Sequence, residues 1–387
     1  MGIDFGKRLG MGCLRLPVYD ENKQAEIDMD AAQKIIDLFM EQGYNYFDTS
    51  WIYHSGNSEA ALGKLLVDRY PRDSFLISTK MPLKFMKKKE EMEDVFRQQL
   101  DRCHLAYFDF YLIHAIMRDT YELCKKWGVW EFLRQKRAEG RFREFGVSLH
   151  DTPEFLDEIL TEHPEIDFVI LQINYVDWDN EVIRARESYE VAVRHDVPIV
   201  VMEACKGGTL ACVPEEAETL MKAYNPNASV ASWAFRFVGG LPGVRVVLAG
   251  MPKMEFLLDN LKVFNDFKPL NEEEHKILKR VCEIINENTA IPCTTCRYCE
   301  PECPKQIPIP DYFNLYNDMK RFEKTSNPNR VNIQANYYES FIKGGRGAAG
   351  SCIGCKICEK VCPQGLPVVK YLKEYIKAEL EDYEHRS

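Results

Sequence analysis

The run Phe168-Val-Ile-Leu171 is apolar at every position and has the length of a single strand. Uninterrupted apolar runs are typical of parallel strands that are covered by helices, whereas half-exposed strands alternate apolar with polar residues. This run opens the longer segment Phe168–Ile173, and similar β-rich runs recur on both sides of it. The others are Arg8–Gly12, Tyr46–Asp48, Phe75–Lys80, Phe108–His114, Glu144–Leu149, Pro198–Glu203 and Val244–Ala249.

Amphipathic segments separate these runs. In Ala31–Gln42, apolar residues recur three and four positions apart, which places them on one helical face. The other predicted helices are Glu90–Cys103, Tyr121–Glu139, Pro153–Thr161 and Glu181–His195. Eight β/α units over about 260 residues predict an α/β fold, the (β/α)8 TIM barrel. A doubly wound sheet usually carries G-x-G-x-x-G after its first strand, and here Gly10-Met-Gly12-Cys-Leu-Arg15 lacks the third glycine.

Composition bounds the classes of protein that remain. The chain has 387 residues, enough for about two domains. Its net charge of −10 argues against a nucleic-acid or anionic-membrane binder. The N-terminus has no apolar signal region, and no apolar stretch approaches the length of a membrane span. We therefore expect a cytoplasmic protein without a nucleic-acid or membrane partner.

Eight of the 14 cysteines form two runs of the same spacing. Cys293-x2-Cys296-x2-Cys299-x3-Cys303-Pro and Cys352-x2-Cys355-x2-Cys358-x3-Cys362-Pro both match the bacterial ferredoxin pattern, which binds [4Fe–4S] clusters. In two-cluster proteins the fourth cysteine of each run ligates the other cluster. The expected ligand sets are therefore Cys293, Cys296, Cys299 and Cys362 for one cluster, and Cys352, Cys355, Cys358 and Cys303 for the other.

Two other uses of cysteine pairs are weaker explanations. A disulfide framework requires an oxidising compartment, and nothing in the chain directs export. Zinc sites use C-x2-C pairs, but they leave the third cysteine and the proline of each run unexplained. We expect a barrel over residues 1–270, a helical linker over 271–291, and a small, mainly α-helical, ferredoxin-like iron–sulfur domain over 292–387. Helices are predicted there at Asp311–Glu323 and Tyr337–Ile342.

Candidate catalytic residues follow the predicted strands. Catalytic groups of barrel enzymes lie at the C-terminal ends of the strands, where this chain has Asp48, Tyr53, Lys80 and His114. Each residue alone is more simply a capping, snorkelling or hydrogen-bonded core residue. Together they suit carbonyl reduction, with Tyr53 delivering the proton, Lys80 lowering its pKa, Asp48 holding Lys80, and His114 orienting the carbonyl oxygen. Ser148 and Gln172 offer hydrogen bonds to a nicotinamide carboxamide.

With these residues in this order, roughly residues 5–265 resemble the aldo-keto reductase family, and the tail resembles the α-helical ferredoxin domain that is fused to one branch of it. The resemblance also rests on Leu9-Gly-Met-Gly12, on Gly146-Val-Ser148, and on Leu248-Ala-Gly250 followed by Asp259-Asn260. It implies NAD(P)H-dependent carbonyl reduction of a small-molecule substrate. The residues expected to contact the cofactor are Gly12, Ser148, Gln172, Met202, Gly250, Lys253, Asp259 and Asn260.

Two departures from the family leave the cofactor, NADP or NAD, open. Met202 lies nearest to the place where the family usually has a tyrosine that stacks on the nicotinamide, and Phe256 replaces an arginine for the 2′-phosphate, with Lys253 nearby. A hydride carries two electrons and a cluster passes one, so a flavin is normally needed to couple them; we find no flavin motif, and a bound flavin is not excluded.

Three hypotheses follow for the whole chain. In the first, the chain is a carbonyl oxidoreductase whose two [4Fe–4S] clusters exchange single electrons with a ferredoxin or another electron-transfer protein. In the second, the clusters of a carbonyl reductase are structural or dock it in a complex. In the third, the barrel is a non-catalytic sensor of nicotinamide redox state and the clusters relay electrons.

Overall fold

A computed structural model describes residues 4–20, 23–180, 183–287, 290–293, 297, 299–321, 333–362 and 364–381. The chain forms two compact units. The first contains residues 1–179, 183–204 and 232–270, and the second contains residues 180–182, 205–231 and 271–387. The domain boundaries expected from the sequence stay a prediction.

The first unit is built on a closed barrel of parallel strands. The eight strands of the described residues pair in chain order, and the last pairs with the first. The predicted TIM barrel is therefore confirmed. The strands are β1 (Leu9–Gly12), β2 (Tyr46–Asp48), β3 (Leu76–Met81), β4 (Phe108–Ile116), β5 (Phe142–Leu149), β6 (Phe168–Gln172), β7 (Ile199–Met202) and β8 (Val244–Ala249).

Helices alternate with these strands and continue after them. The α-helices of the described residues are α1 (Met29–Glu41), α2 (Ser58–Leu62), α3 (Glu91–Arg102), α4 (Arg118–Trp127), α5 (Val129–Ala138), α6 (Pro153–Glu162), α7 (Ala185–Arg194), α8 (Glu215–Tyr224), α9 (Val230–Gly239), α10 (Met254–Asn265), α11 (Glu272–Glu287), α12 (Ile309–Arg321), α13 (Ile333–Lys343), α14 (Ile357–Val361) and α15 (Val368–Lys370). A π-helical segment, Tyr371–Glu381, continues directly from α15.

Helix α1 shows why the alternation of strands and helices could be predicted from the sequence. The Asp28 side chain accepts a hydrogen bond from the backbone N–H of Ala31 at 3.0 Å and caps the first turn. The apolar residues spaced three and four apart, Ala32, Ile35, Ile36 and Phe39, are all buried. One face of the helix therefore packs on the barrel, as the periodicity predicted.

The prediction of one helix over Tyr121–Glu139 was wrong. Two helices, α4 and α5, occupy this stretch, and Gly128 separates them with φ 69°. A glycine in the left-handed region ends a helix without the steric penalty that a Cβ would bring. The helix predicted over Glu181–His195 begins only at Ala185, after Arg184 at φ 51°, and Glu181 lies outside the described residues.

Large side chains fill the barrel interior. The cluster consists of Phe5, Tyr46, Phe110, Leu112, Phe168, Ile170, Val200 and Val246, with Leu76, Met202 and Leu248 packed against it. Residues of this kind alternate along each strand with residues that face the helices. The barrel is therefore a solid core below whatever lies at its C-terminal mouth.

The second unit is helical and has its own core. Tyr312, Phe313, Leu315, Leu372 and Ile376 are all buried in it. The chain just before the first cysteine is held by Asn317. Its Oδ1 accepts from the Ile291 N–H at 2.7 Å, and its Nδ2 donates to the Ile291 carbonyl at 2.8 Å. The helices predicted at 311–323 and 337–342 correspond to α12 and α13, and residues 322 and 323 lie outside the described residues.

Within the part of the chain that the structure describes, none of the helices combines the length and apolarity needed to cross a bilayer.

Candidate functional sites

Polar side chains continue the inward-facing rows of the barrel strands at their C-terminal ends. Side chains two apart on a strand point to the same side, so each core residue predicts the direction of the residue two or four positions on. The pairs of inward-facing core residue and mouth residue are Tyr46 and Asp48, Leu76 and Lys80, Leu112 and His114, Ile170 and Gln172, and Val200 and Met202. Strand geometry alone therefore brings these residues to one mouth.

Asp48 and Lys80 form a buried ion pair there. Lys80 Nζ donates to Asp48 Oδ2 at 2.6 Å and to the Thr49 carbonyl at 2.7 Å. Both side chains are almost fully enclosed. Burial opposes the charge on Lys80, but Asp48 and Tyr53 outweigh burial, so the net pKa of Lys80 is raised. Lys80 is therefore held in place as a cation.

Tyr53 lies directly against that cation. Lys80 Nζ is 4.7 Å from the centroid of the Tyr53 ring. Burial raises the pKa of Tyr53, and Lys80 opposes that rise. The sequence predicted the lowering effect of Lys80, but the net shift is upward, because removing the hydroxyl from water disfavours the phenolate more than one cation favours it.

His114 completes the group as a neutral ring. Its plane is nearly perpendicular to that of Tyr53, with centroids 6.1 Å apart. Burial, together with Lys80, His150 and Lys84, places the pKa of His114 well below its ordinary value. Nδ1 of His114 lies 3.1 Å from the Ser50 hydroxyl. When Ser50 donates this bond, Nε2 carries the proton and can donate to a substrate oxygen.

Two residues expected to bind the nicotinamide carboxamide already have protein partners. The Ser148 hydroxyl accepts from the Ala115 N–H at 2.7 Å. The Gln172 side-chain amide donates to Asp177 Oδ2 at 2.9 Å. Met202 packs at the top of the barrel core, which is the place that the strand pattern implied for it.

The remaining cofactor candidates lie at and after the end of β8. Gly250 is exposed, and a Cβ added to it would come within 2.9 Å of the Arg15 side chain. Gly12 ends the neighbouring strand β1, which pairs with β8. Lys253 is exposed at the N-cap of α10, where the backbone N–H groups face any bound anion. Within α10, Asp259 is partly buried and Asn260 is buried.

Aromatic residues that follow strands β2 and β6 have specific packing partners. The guanidinium of Arg102 lies 3.7 Å from the Trp51 ring centroid. Tyr175 and Trp178 both pack edge-on against Phe237. These contacts explain the three residues as packing groups.

The sequence reading missed His54, which follows Tyr53 directly. His54 Nε2 accepts from the Leu16 N–H at 3.0 Å, and Nδ1 lies 2.7 Å from the Gln24 carbonyl. The ring therefore ties the segment after β1 to the turn that carries Tyr53. A lone histidine gives no sequence signal of such a contact. The structure marks the turn by positive φ at both His54 and Ser55, near 54°.

The two sets of cluster cysteines lie around two separate cavities of the second unit. One cavity, with about 320 Å³ of empty space, is lined by Cys303, Cys352, Cys355 and Cys358. The other, with about 340 Å³, is lined by Cys293, Cys299 and Cys362, and Cys296 lies outside the described residues. Among the described cysteines, each cavity thus combines members of one run with the fourth cysteine of the other.

This arrangement suits a cube better than a single ion. A [4Fe–4S] cube takes one thiolate at each iron, so its four sulfur ligands stand around a cavity. Among the described residues, no three His, Cys, Asp or Glu side chains are placed to share one metal ion. The cysteine cavities therefore fit the expected group.

Comparisons with known proteins cover both units. Residues 8–283 match the model of the aldo/keto reductase family. Residues 292–367 match the model of a 4Fe-4S dicluster domain. The uncharacterized oxidoreductase YqkF of Bacillus subtilis is 24% identical over 297 residues, which cover 70% of this chain and 91% of that protein.

Solved structures show the same fold. Aldo-keto reductase AKR11C1 from Bacillus halodurans, in its holo form, aligns with a TM-score of 0.57 and 23% identity over 71% of this chain and 91% of its own. An aldo-keto reductase from Klebsiella pneumoniae in complex with NADPH aligns with a TM-score of 0.54 and 19% identity over 70% of this chain and 90% of its own.

Proposed function

Because the chain belongs to the aldo/keto reductase family, we propose that its barrel reduces a carbonyl substrate with NADPH or NADH and that Tyr53 is the proton donor. We further propose that its iron–sulfur domain holds two [4Fe–4S] clusters that exchange single electrons with a separate partner. The observation that carries the barrel assignment is the buried Asp48–Lys80 pair beside Tyr53, with Lys80 Nζ 2.6 Å from Asp48 Oδ2 and 4.7 Å from the Tyr53 ring centroid.

In this proposal, the residues at the barrel mouth orient the carbonyl and deliver a proton to its oxygen. The neutral His114 ring donates a hydrogen bond to the carbonyl oxygen and orients it. A nicotinamide bound at this mouth would supply the hydride for the new C–H bond at the carbonyl carbon. Tyr53 gives its hydroxyl proton to the oxygen as negative charge develops there, and Lys80 stabilises the phenolate that remains. A solvent proton restores Tyr53, so the sum is carbonyl, reduced nicotinamide and one proton going to alcohol and oxidised nicotinamide.

Several features support a dinucleotide at this mouth. Met202 offers a polarisable side chain to a ring face, and Ser148 and Gln172 flank the same end of the barrel. The exposed Lys253, at the start of α10, provides positive charge for a phosphate group. The fold is also that of the Klebsiella pneumoniae enzyme solved with NADPH. We propose Gly12, Gly250, Asp259 and Asn260 as further contacts of the dinucleotide.

The cysteine cavities support the iron–sulfur part of the proposal. We assign Cys303, Cys352, Cys355 and Cys358 to one cluster, and Cys293, Cys296, Cys299 and Cys362 to the other. Seven of these eight cysteines lie in the described residues, and they divide between the two cavities in this way. Clusters of this type pass one electron at a time, which suits exchange with a carrier protein rather than hydride transfer.

Tyr53→Phe tests the barrel assignment. The change removes the transferable proton and keeps the ring against Lys80, so kcat for NADPH- or NADH-linked reduction of a panel of aldehydes and ketones should fall by about 10² to 10⁴. Tyr107→Phe is the matched control, because Tyr107 precedes β4 at the opposite end of the barrel. The assays use anaerobically purified protein. Wild-type rates in a folded Tyr53→Phe protein would refute the assignment.

A further inference from the structure

The cavity of Cys303, Cys352, Cys355 and Cys358 has a basic rim. Among the seven described cysteines of the two motifs, only Cys355 is exposed. Lys305 and Lys356 line the same cavity as these cysteines. Lys373 Nζ lies 3.6 Å from the position that a Cβ on Gly354 would occupy. Positive side chains thus surround the most accessible ligand.

Apolar side chains lie beside this rim. Ile353 lines the same cavity and is 59% exposed. Ile357 and Val361 are each 36% exposed and are four residues apart on α14, so they share one helical face. Exposed apolar residues next to a polar rim are the usual composition of a protein-binding patch. We call Ile353, Ile357, Val361 and the four lysines Lys305, Lys356, Lys360 and Lys373 the basic patch.

The first cysteine motif provides an internal comparison. Arg297 and Lys356 hold the same place, directly after the second cysteine, and both have positive φ, 61° and 59°. Arg297 is neutralised by Asp311 at 2.6 Å and by Glu300 at 2.9 Å. Arg346 also pairs with Glu300. The positive charges near the first motif are therefore balanced by carboxylates.

The lysines of the basic patch are not balanced in this way. Within the described part of the chain, Lys305, Lys356, Lys360 and Lys373 make no ion pair. Acidic residues also lie close by. Glu302 lines the cavity, and Glu359 is partly buried and accepts a hydrogen bond from the Val369 N–H at 3.0 Å. Positive charge therefore remains in excess here, on a chain whose net charge is −10.

We propose that the basic patch is the docking site of an acidic one-electron carrier protein. Charge complementarity selects this partner, because a carrier with carboxylates around its redox centre is attracted to the four lysines and repelled by the rest of the acidic chain. The proposal rests on the proposed exchange of single electrons with a partner. On docking, the reduced carrier loses one electron and the cluster held by Cys303, Cys352, Cys355 and Cys358 is reduced by one, with no bond made or broken.

The test uses the full-length holoprotein, prepared anaerobically, and a reduced plant-type [2Fe–2S] ferredoxin of acidic net charge as the probe. Lys356→Glu/Lys360→Glu reverses two charges of the basic patch, and Lys356→Gln/Lys360→Gln only removes them. Lys88→Glu/Lys89→Glu makes the same charge reversal at exposed lysines of the barrel unit. Iron and sulfide analysis first establishes that every variant keeps its clusters.

Three measurements are made on each protein: the Kd of the complex, the second-order rate of cluster reduction, and the sites of carbodiimide cross-linking. For the wild-type protein we expect binding that weakens with added salt and cross-links at the patch lysines. Lys356→Glu/Lys360→Glu should lower affinity and rate by about tenfold or more at low salt, since charge steering contributes about 10 to 10³ to association rates. The Gln variant should lie between, and the barrel variant should resemble wild type.

Equal rates and affinities in the wild type and the Lys356→Glu/Lys360→Glu protein would overturn the proposal. So would tighter binding of cytochrome c, a basic protein, than of the acidic ferredoxin. Reduction of the clusters by methyl viologen but by neither protein would overturn it too, and would also remove the proposed partner exchange. Carbonyl turnover that depends on Tyr53 tests the barrel part of the proposed function separately. The docking proposal and the barrel assignment can therefore fail independently.

Discussion

At the scale of single residues, the strand pattern predicts where the catalytic candidates lie but not their protonation. Asp48, Lys80 and His114 each follow an inward-facing core residue by an even number of positions, so their meeting at one mouth can be read from the sequence. The net rise in the pKa of Tyr53 could not be predicted, because it depends on how completely the folded chain removes the hydroxyl from water. The binding partners of Ser148 and Gln172 likewise appear only in the fold.

Lys80→Met tests the electrostatic role assigned to Lys80. The Lys80 charge lowers the pKa of Tyr53, so its removal should raise that pKa further. Carbonyl reduction needs protonated Tyr53 and falls as pH rises through its pKa, whereas alcohol oxidation needs the phenolate and rises there. In the pH profiles of kcat/KM, the fall of carbonyl reduction and the rise of alcohol oxidation should therefore both move to higher pH. The rates should fall by about 10² or more.

The control for Lys80→Met must separate charge from folding. Leaving Asp48 buried without its partner costs about 3–5 kcal/mol of stability, so unfolding is measured alongside activity. Asp48→Asn/Lys80→Met removes both charges. The pKa of Tyr53 should still rise, because Lys80 lowers it more strongly than Asp48 raises it. The rise should be smaller than in Lys80→Met, because the raising effect of Asp48 is lost as well. Lys88→Met should change nothing. If either pH transition of kcat/KM stayed in place or moved to lower pH in Lys80→Met, the role given to Lys80 would be contradicted.

At the scale of elements, repeated patterns predict strands and helices well, and single interruptions escape notice. The eight β-rich runs all correspond to strands within about two residues, which is the usual scatter of element ends. The split between α4 and α5 was missed, since Gly128 is one residue inside an otherwise helical pattern. A glycine in such a pattern is compatible with either outcome, and its left-handed φ is decided by packing.

A contact between distant elements of the second unit was equally hidden. Lys206 Nζ lies 2.9 Å from Asp318 Oδ2, and both side chains are buried. Asp318 also accepts a hydrogen bond from Gln334. Lys206 adopts φ 46°, a region that a residue other than glycine occupies only at a cost. Lys206 lies in the segment after β7 and Asp318 in α12, and no local pattern links two charges that are 112 positions apart.

The cysteine motifs allow a test of how the clusters are held. Either the fourth cysteine of each motif ligates the cluster of the other motif (crossed ligation), or each motif binds its own cluster. Cys303 belongs to the first motif by sequence but lines the cavity of the second. Cys303→Ser should therefore disturb the same cluster as Cys358→Ser, and Cys362→Ser should disturb the other cluster, as Cys299→Ser does. Iron content should fall from about eight to about four per chain in each variant. Electron paramagnetic resonance of the reduced proteins identifies which signal is lost.

Cys282→Ser is the control for this series, because Cys282 lies in α11 outside both motifs. It should retain full iron content and both signals. If Cys303→Ser instead removed the same signal as Cys299→Ser, each motif would bind its own cluster and the crossed assignment would be wrong.

At the scale of the whole molecule, two chemistries with different electron counts share one chain. In the proposed function, the barrel residues carry out hydride and proton transfer, and the cysteine cavities hold clusters that pass single electrons. A two-to-one converter such as a flavin would be needed to join them. The family resemblance implied both units, yet no pattern in either unit predicts how their activities are coupled.

We therefore expect carbonyl turnover to survive the loss of one cluster. Cys303→Ser removes a proposed cluster ligand in the second unit and leaves Asp48, Tyr53, Lys80 and His114 unchanged in the first. In anaerobic assays with NADPH or NADH, the variant should keep most of the wild-type kcat, and Cys212→Ser, at an exposed cysteine outside the motifs, should keep all of it. Turnover abolished in Cys303→Ser, with the barrel still folded by circular dichroism, would mean that electrons pass between the clusters and the carbonyl. The Tyr53 reaction could not then be a hydride transfer that proceeds without the clusters.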